Sequence, residues 1–433
     1  MSARGCLVLG VLIVTIGCAS PTPSGESRAA QTGSRPAESS SSASPRFAEG
    51  GPGAREYGAD EGYPLKAIFR PRYFVAIFSH HDQLLDGRTI RPATSPSRLN
   101  RAPTEPALQY EYQSETHSLD DYLARNPTTG LLIARGDTIF VERYQYARTD
   151  RHRFASFSMA KTVTAMLIGI AIQENLIRSV DEPAAVYVPA LADTEYGKTP
   201  LRHLLQMSSG VRFRESYSGQ DDVARLVAAT YLQIGPGGVE AVKPYNERLR
   251  TSGTGFSYAS VETEVLGLVL RGAIGRPVTE YLQEKIWEPI GAEADATWLI
   301  DASGQEATYC CLNAVLRDYA RLGLLLAHDG RVGDRQIIPK EWLLAATTVA
   351  PDDWHLKRVW RANNLGYGYQ TWILPGERRM FALLGVHGQA IYVDPASRLV
   401  MVHTAVRNQP DDPNLETIAL WQGVVDALGI RPP

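Results

Sequence analysis

The sequence predicts an α+β fold: one antiparallel sheet, built by segments near the two ends of the folded part, is flanked by helices. Two hairpin patterns predict the sheet. In residues 130–144 two β-prone runs flank Gly136-Asp137, and in residues 390–403 a second pair of runs brackets a turn. Helical periodicity dominates the chain between the hairpins. We therefore expect a mostly helical insertion, a subdomain at about 156–360, between the two segments that form the sheet.

Composition excludes several classes of protein. The chain has 433 residues, of which 44 % are hydrophobic and 21 % charged, and its formal net charge is −3. This balance excludes a strongly basic nucleic-acid-binding protein, so we expect no nucleic-acid partner. The four cysteines exclude a disulfide scaffold and a Cys-rich zinc module, and the nine histidines show no metal-ligand spacing. We expect no metal and no cofactor.

Residues 1–18 resemble a bacterial lipoprotein signal peptide. Arg4 precedes an apolar stretch at 7–16, and Cys18 follows a small residue. The resemblance implies cleavage before Cys18 and lipid attachment to its thiol, which would hold the protein on a membrane without a transmembrane helix. Ser20 favours the outer membrane, so we expect an exported protein on the periplasmic face of a bacterial membrane. The alternative is a plain cleaved secretory signal.

Residues 19–64 have the composition of a linker. They contain no Val, Ile, Leu or Met and are rich in Ser, Pro, Gly and Ala. Such a segment cannot bury enough apolar area to offset the entropy of ordering it. We expect a disordered tether here, joining the lipid anchor to a folded domain at 65–433.

Periodicity predicts the elements of that domain. Residues 73–78 predict a short strand, and residues 162–177 predict a helix that is apolar around most of its surface and therefore buried. Further helical patterns lie at 201–207, 262–274, 279–287 and 312–328. The neighbouring Cys310 and Cys311 are expected as two buried thiols, with a vicinal disulfide as the alternative in an oxidising compartment.

The pattern S-x-x-K opens the buried helix. Residues three apart share a helix face, so the amine of Lys161 can lie beside the hydroxyl of Ser158. The positive end of the helix dipole favours negative charge developing at Ser158, and a lysine in an apolar site can lose its proton near neutral pH. The pair thus fits a nucleophile and its base. A four-residue pattern recurs by chance, and the alternative is an N-cap serine with a solvated lysine.

Two further motifs follow in a fixed order. Tyr258-Ala259-Ser260 begins 100 residues after Ser158, and His387-Gly388-Gln389 begins 129 residues after Tyr258. The three motifs together resemble those of the serine β-lactamase and penicillin-binding-protein superfamily, which carries S-x-x-K, then Y-x-N or S-x-N, then K-T-G or a variant. The tyrosine form of the second motif resembles that of the class C branch of this superfamily. The stretches at 203–210, 312–323 and 366–372 strengthen the likeness, which is greatest to the 6-aminohexanoate-dimer hydrolase (nylon-oligomer hydrolase) group and covers roughly 65–430.

This resemblance implies a β-lactamase/transpeptidase-like fold and assigns roles to the motif residues. Ser158 would be the acylated nucleophile, Lys161 its base partner, and Tyr258 the second acid–base group. The oxyanion hole would combine the backbone N–H groups of Ser158 and Ala390. The remaining motif residues would bind substrate: Ser260, His387, Gly388 and Gln389.

Two departures from the family motifs affect the expected substrate. His387 replaces the lysine that grips the substrate carboxylate in penicillin-processing enzymes, and histidine is mostly neutral at pH 7. Ser260 replaces the asparagine of the second motif. The change at His387 favours substrates that lack that carboxylate, and the change at Ser260 removes a longer amide donor to an acyl side chain. The alternative for His387 is a histidine of the edge strand that makes no substrate contact.

The sequence therefore predicts a serine hydrolase that acts through an acyl-enzyme on a small-molecule ester or amide, its expected partner. One alternative is a β-lactamase or D,D-peptidase. Another is a catalytically silent penicillin-sensing or penicillin-binding lipoprotein on the same fold. The presence of Ser158, Lys161 and Tyr258 together argues against silence, because a silent relative has no need of all three. The oligomeric state stays open.

Overall fold

The computed structural model describes residues 43–58, 69–410 and 412–429. The predicted signal peptide with Cys18, and residues 19–42 and 59–64 of the predicted tether, lie outside these ranges. In chain order the strands are β1 Arg46–Phe47, β2 Gly87–Ile90, β3 Asn100–Arg101, β4 Gln109–Tyr112, β5 Glu115–Ser118, β6 Thr128–Arg135, β7 Thr138–Tyr144, β8 Phe154–Ala155, β9 Ala296–Leu299, β10 Leu312–Ala314, β11 Arg331–Val332, β12 Arg335–Gln336, β13 Gly366–Tyr367, β14 Trp372–Ile373, β15 Phe381–Gly385, β16 Gln389–Asp394 and β17 Leu399–Ala405.

The α-helices are α1 Ala54–Tyr57, α2 Phe74–Ser79, α3 His81–Leu84, α4 Leu119–Arg125, α5 Met159–Gln173, α6 Leu201–Leu205, α7 Asp222–Ala229, α8 Gly238–Val242, α9 Ser260–Ile274, α10 Val278–Leu282, α11 Leu316–Ala327, α12 Lys340–Thr347 and α13 Leu415–Leu428. A π-helical turn, Gln283–Trp287, continues α10. No helix in the described part of the chain is both long and apolar enough to cross a membrane.

The main sheet has nine strands. Its order is β1-β7-β6-β17-β16-β15-β14-β13, and β3 pairs with β7 as well. The two predicted hairpins are confirmed as β6–β7, whose turn places Gly136 at φ +61°, and β16–β17. Pairing is antiparallel from β7 to β13, but β1 and β3 run parallel to β7. The sheet is thus mixed rather than purely antiparallel as expected, because two short segments from before the first hairpin pair with β7.

Both faces of the sheet are covered by helices. Along β16 and β17, alternate side chains enter two separate cores: Ile391 and Val402 face one, and Tyr392 and Met401 face the other, where Trp421 of α13 packs. Every residue of β16 and β17 is buried. Burial on both faces explains why these strands are apolar almost throughout. On the first face α11 packs against β6, β16 and β17, and α5 packs against β15 and α9.

The insertion is less purely helical than expected. Within about 156–360, β9 and β10 join β2 and β8 in a second, four-stranded sheet. Residues 312–314, expected at the start of a helix, form β10, and α11 begins at Leu316. The strand forms because these residues pair with Phe154–Ala155 on one side and with β9 on the other, a tertiary effect absent from local periodicity. The helix expected at 162–177 forms as α5 and is buried nearly throughout.

The predicted tether is wrong over residues 43–58. Ala43 is buried, Arg46–Phe47 pair with the end of β7, and the Phe47 ring stacks on Tyr144 with centroids 5.4 Å apart. These contacts stabilise the segment through backbone pairing and aromatic packing rather than through aliphatic side chains, so the lack of Val, Ile, Leu and Met does not prevent order.

The strand expected at 73–78 is also wrong. Residues 74–79 form helix α2, and all six are buried. Their side chains pack around Tyr146, Ala155 and Val406. A short continuous apolar run cannot be assigned to helix or strand by periodicity alone, because it has no polar face.

Candidate active site

Ser158 stands at the N-terminus of the buried helix α5. It occupies the N-cap position with φ −67° and ψ −4° and is half-buried. Phe157, directly before it, adopts φ +43°, a left-handed conformation that non-glycine residues rarely take. Such strained residues are found mainly where the surrounding structure enforces an exposed functional side chain. The first-turn N–H groups of Met159, Ala160 and Lys161 donate to the carbonyl oxygens of residues 156, 157 and 158. The positive end of the helix dipole favours negative charge at Ser158.

Lys161 contacts Ser158 one turn later. Its Nζ donates to Ser158 Oγ at 2.8 Å and to the carbonyl oxygen of Tyr309 at 2.9 Å. Only 1 % of Lys161 is exposed. Burial lowers the pKa of Lys161 to about 8, against the opposing negative fields of Glu215 and Glu264. At pH 7 about a tenth of this amine is therefore neutral and available as a general base.

Tyr258 completes a three-residue cluster. It lies two residues before α9, which packs against α5, and Lys161 Nζ is 5.1 Å from its ring centroid. Burial and the charge of Glu215 raise the pKa of the Tyr258 phenol, while a hydrogen bond with Ser158 opposes them. The phenol is therefore protonated at neutral pH and can act as an acid. The structure thus brings together the three predicted catalytic residues.

Tyr309 contacts Lys161, and two cysteines follow it directly in the chain. The Tyr309 ring lies 5.4 Å from Lys161 Nζ, and its hydroxyl is 2.7 Å from Thr230 Oγ1. The expected pair of free thiols is wrong, because Cys310 and Cys311 are joined in a vicinal disulfide. Cys311 adopts φ +70°, and both residues are buried, so the bond fixes the backbone directly after the carbonyl that accepts from Lys161.

Glu215 is a site residue that the motifs do not reveal. Its Oε2 accepts from the backbone N–H of Ser260 at 2.6 Å, and its Oε1 accepts from Ser260 Oγ and from Tyr217 Oη, each at 2.8 Å. Ser260 is 2 % exposed. The expected substrate contact of Ser260 is therefore wrong, because its hydroxyl is turned into the protein to bind Glu215.

His387 lies in the tight turn between β15 and β16. Its Nδ1 is 2.7 Å from the carbonyl oxygen of Arg407, which can only accept, so the ring donates. The ring also packs against three phenylalanines, Phe74, Phe78 and Phe157, at centroid distances of 4.8, 5.1 and 5.5 Å. Burial lowers the pKa of His387 to about 4, so the ring is neutral. This environment matches the alternative of a packed histidine better than substrate binding.

Gln389 and Gly388 shape the same turn. Gln389 is 1 % exposed; its Nε2 donates to the carbonyl oxygen of Ala405 at 2.7 Å and its Oε1 accepts from the Ala405 N–H at 3.2 Å. Gly388 is buried at φ +91°, and a Cβ there would lie 3.1 Å from the Cβ of Ala405. The expected substrate contacts of both residues are wrong, because their surroundings are filled by protein.

The prediction that the Ala390 N–H forms part of the oxyanion hole is wrong, because Ala390 lies inside the sheet. It is 2 % exposed and sits inside the sheet, paired with Leu384 of β15 on one side and with His403 of β17 on the other. In an antiparallel ladder the N–H of such a residue points at a neighbouring strand. It therefore cannot point at Ser158.

Comparison with known proteins agrees with this arrangement. The model of the Beta-lactamase family matches residues 118–424. The chain belongs to the beta-lactamase family. A 6-aminohexanoate-dimer hydrolase of Paenarthrobacter ureafaciens is 26 % identical over 337 residues, which is 74 % of this chain and 84 % of that protein.

Solved structures show the same fold. A candidate 6-aminohexanoate-dimer hydrolase of Bacillus anthracis superposes with a TM-score of 0.75 at 23 % identity, over 84 % of this chain and 97 % of that one. A family VIII carboxylesterase superposes with a TM-score of 0.54 at 18 % identity, over 70 % and 93 %. The protein is thus a hydrolase of the β-lactamase/transpeptidase-like fold, related to 6-aminohexanoate-dimer hydrolase.

An aromatic shelf borders the active site of this beta-lactamase-family protein. We define it as Phe256, Tyr258, Trp360, Tyr367 and Trp372. Trp372 stacks on Tyr258, with centroids 5.6 Å apart and an interplanar angle of 26°, and contacts the other three rings at 4.9 to 6.3 Å. Four of the five residues are half-buried and Tyr367 is buried. The shelf offers apolar surface beside the phenol of Tyr258, the predicted acid–base group.

Sequence reasoning missed the shelf, Glu215 and Tyr309. Gly366–Trp372 entered only as part of the family likeness, and no spacing links Trp360 to the motifs. Glu215 lies in the connection between α6 and α7, which carries no regular pattern. Over residues 43–58, 69–410 and 412–429, no three His, Cys, Asp or Glu side chains gather as a group that could hold a metal ion.

Proposed function

We propose that this protein is a serine hydrolase that cleaves small ester or amide bonds through an acyl-enzyme on Ser158. The observation that carries the proposal is the 2.8 Å contact between Ser158 Oγ and the Nζ of a buried Lys161. Neutral Lys161 removes the hydroxyl proton while Oγ bonds to the substrate carbonyl carbon, and the carbonyl electron pair moves to oxygen. The Tyr258 phenol gives its proton to the leaving alcohol or amine as the second bond breaks. The proton taken from Ser158 then replaces the one that Tyr258 gave up.

Hydrolysis of the acyl-enzyme runs through the same groups in reverse. Water bonds to the acyl carbon while neutral Lys161 accepts one of its protons, either directly or through the Tyr258 phenol, which takes that proton as it passes its own to Lys161. Collapse of the tetrahedral intermediate expels Ser158 Oγ, which takes a proton back, and the carboxylic acid leaves. The three side chains finish in their starting protonation states, so the cycle consumes only water and substrate.

The oxyanion would be held by backbone N–H groups. Ser158 supplies one, and we propose Val386 for the second, in place of Ala390. Gly385, the last residue of β15, packs against the nucleophile loop: a Cβ there would lie 2.5 Å from the carbonyl oxygen of Ser156 and 3.1 Å from the Cβ of Phe157. Val386 is the first residue beyond the ladder, so its N–H is not committed to the register of the sheet. Losing one such donor typically costs about 10² to 10³ in rate.

Two features favour substrates without a carboxylate next to the reacting bond. His387, at the position of the family's gripping lysine, is neutral and packed among phenylalanine rings. The aromatic shelf beside Tyr258 suits an apolar leaving group, because stacked rings exclude water and gain from apolar contact. A β-lactamase or D,D-peptidase is therefore the second candidate, and a silent penicillin-binding protein the third.

One substrate panel separates these candidates. It comprises p-nitrophenyl acetate and butyrate, 6-aminohexanoate dimer, and nitrocefin, each with wild type, Ser158→Ala and the control Ser95→Ala at an exposed position. We expect turnover of the esters that Ser158→Ala abolishes and Ser95→Ala retains. Equal turnover by wild type and Ser158→Ala would overturn the nucleophile, and nitrocefin as the fastest substrate would overturn the argument from His387.

We also propose that the protein is exported and anchored by lipid on Cys18 at the periplasmic face of a bacterial membrane, outer membrane favoured. The support is the pattern at residues 1–18 alone. Mass spectrometry of the mature N-terminus tests it. Diacylglycerol on Cys18 is expected, and an unmodified N-terminus beyond Cys18 would contradict it.

A further inference from the structure

Helix α9 begins without a capping side chain of its own. Its N-cap residue is Ala259, which offers no side-chain oxygen to the N–H groups of the first turn. Alanine is among the poorest N-cap residues, because its side chain cannot accept a hydrogen bond from these N–H groups. The structure supplies the missing acceptor from elsewhere: Glu215 binds the N–H of Ser260, the first residue of α9, at 2.6 Å. Its negative charge also suits the positive end of the helix dipole.

The contacts of Glu215 explain the residue at position 260. The Ser260 hydroxyl donates to Glu215 at 2.8 Å, so one residue gives the carboxylate both a backbone and a side-chain hydrogen bond. Tyr217 Oη donates a third. The serine that departs from the family's second motif is therefore the partner of Glu215.

We call the hydrogen bonds between Glu215 and Ser260 the clamp. The clamp acts on the segment that carries the proposed catalytic phenol of Tyr258. Tyr258 is flanked by Ser257, whose N–H donates to the carbonyl oxygen of Met207, and by Ala259, whose N–H lies 3.4 Å from Met207 Sδ. Met207 thus holds the segment on one side and Glu215 holds it two residues later. A misplacement of about 1 Å in a catalytic group can reduce the rate by about a hundredfold.

Glu215 also acts on Lys161 through its charge, which raises the pKa of the Lys161 amine. Two carboxylates act on Lys161: Glu215 from the connection before α7, and Glu264 from α9. The phenols of Tyr258 and Tyr309 are the other titratable groups against it. Glu264 is fully buried, and burial raises the pKa of its carboxyl well above the usual glutamate range, which favours the uncharged form. Of the two carboxylates, Glu215 has the larger effect on the pKa of Lys161, and three hydrogen-bond donors fix its position.

We propose that Glu215 is a positioning residue of the active site, clamping the start of α9 so that Tyr258 is held against Ser158 and supplying the negative charge that faces Lys161. This rests on the proposed function for its kinetic consequence, but not for its structural one. The clamp predicts separate effects for the loss of charge and the loss of length. Glu215→Gln removes the charge and one acceptor, whereas Glu215→Asp keeps the charge and withdraws the carboxylate by one methylene.

The kinetic test compares wild type, both Glu215 variants and the control Glu247→Gln, an exposed glutamate from the same region. For Glu215→Gln we expect kcat to fall about tenfold to a hundredfold with KM changed less than about threefold. We also expect the rise of kcat/KM with pH to begin at lower pH, because Lys161 loses a stabilising negative charge. Glu215→Asp should keep the pH profile and lose only kcat. If Glu215→Gln has the same pH dependence of kcat/KM and the same kcat as wild type, the proposal is overturned.

A readout without turnover separates this inference from the proposed function. The chain has seven lysines, so the side-chain 13C resonances can be assigned with a Lys161→Arg sample and titrated. We expect the Lys161 titration midpoint to lie lower in Glu215→Gln than in wild type and to stay unchanged in Glu247→Gln. An unshifted midpoint in Glu215→Gln would overturn the electrostatic role, even if wild type proved inactive on every ester. Absent acylation of Ser158 with a shifted midpoint would overturn the proposed function and support the role of Glu215.

Discussion

The amine of Lys161 and the hydroxyl of Ser158 lie 2.8 Å apart at the first turn of a helix that is buried nearly along its length. The amine donates its second hydrogen bond to the backbone carbonyl of Tyr309 rather than to a carboxylate. No salt bridge to Lys161 is formed within the described ranges, so nothing fully compensates the burial of its charge. This is the environment in which a lysine can serve as a base.

The pH dependence of activity should follow Lys161. Because the base must be neutral and burial lowers the pKa of Lys161 to about 8, kcat/KM for p-nitrophenyl butyrate should rise as pH increases through about 8 and then level off. Lys161→Arg keeps the positive charge but cannot release a proton, and it should lose about 10² to 10⁴ in kcat/KM. Steady-state kinetics from about pH 6 to about pH 10 measure both. A profile that is flat in wild type would contradict this role.

Trp372 should set the preference for the leaving group. It stacks on Tyr258, which we propose protonates that group, so Trp372→Ala should reduce kcat/KM about tenfold or more for phenyl esters and much less for methyl esters. Trp354→Ala is the matched control, because Trp354 is 73 % exposed and lies outside the shelf. Equal losses on phenyl and methyl esters would show that Trp372 only supports the fold.

The free energy of unfolding should depend on pH through the buried Glu262. This buried glutamate accepts from Ser209 Oγ at 2.5 Å, and burial raises the pKa of Glu262 to about 8. Between the usual glutamate pKa and about 8 the folded state holds a proton that the unfolded state lacks, so its contribution to stability falls as pH rises across that window. Glu262→Gln should remove about 2 to 4 kcal/mol of this pH dependence. Urea unfolding at about pH 5 and about pH 8 tests it, and identical slopes with pH for both proteins would contradict it.

The vicinal disulfide should be visible by mass. Purified without reductant and unfolded in iodoacetamide, the protein should leave Cys310 and Cys311 unlabelled, and both should label after reduction. Because the bond lies next to the Tyr309 carbonyl, Cys310→Ala should also lower kcat. Ready labelling of both thiols without reductant would restore the expectation of two free thiols.

Local patterns were sufficient for some of these features. The turn at Gly136-Asp137 predicted the β6–β7 hairpin because its conformation is a property of the two residues themselves. Ser158, Lys161 and Tyr258 were identifiable because a helix face relates the first pair and a motif marks the third. Residues 73–78 were misassigned to a strand because a run that is buried on all sides shows no hydrophobic period.

Contacts between distant segments could not be predicted in this way. Glu215 meets Ser260, and Tyr309 meets Lys161, only after the chain has folded. Gln389 stands in a motif position that suggested substrate, yet its amide bonds the backbone of Ala405 on the neighbouring strand. Ala390 failed as an oxyanion donor for the same reason, since strand register on both sides decides where its N–H points.

The most direct test of the account is the mass of the protein during turnover. Wild type, Ser158→Ala and Ser95→Ala are mixed with p-nitrophenyl butyrate, quenched rapidly in acid and digested for peptide mapping. We expect one butyryl group on Ser158 in wild type and Ser95→Ala, and none in Ser158→Ala. A butyryl group on another residue, or turnover by Ser158→Ala at the wild-type rate, would contradict it.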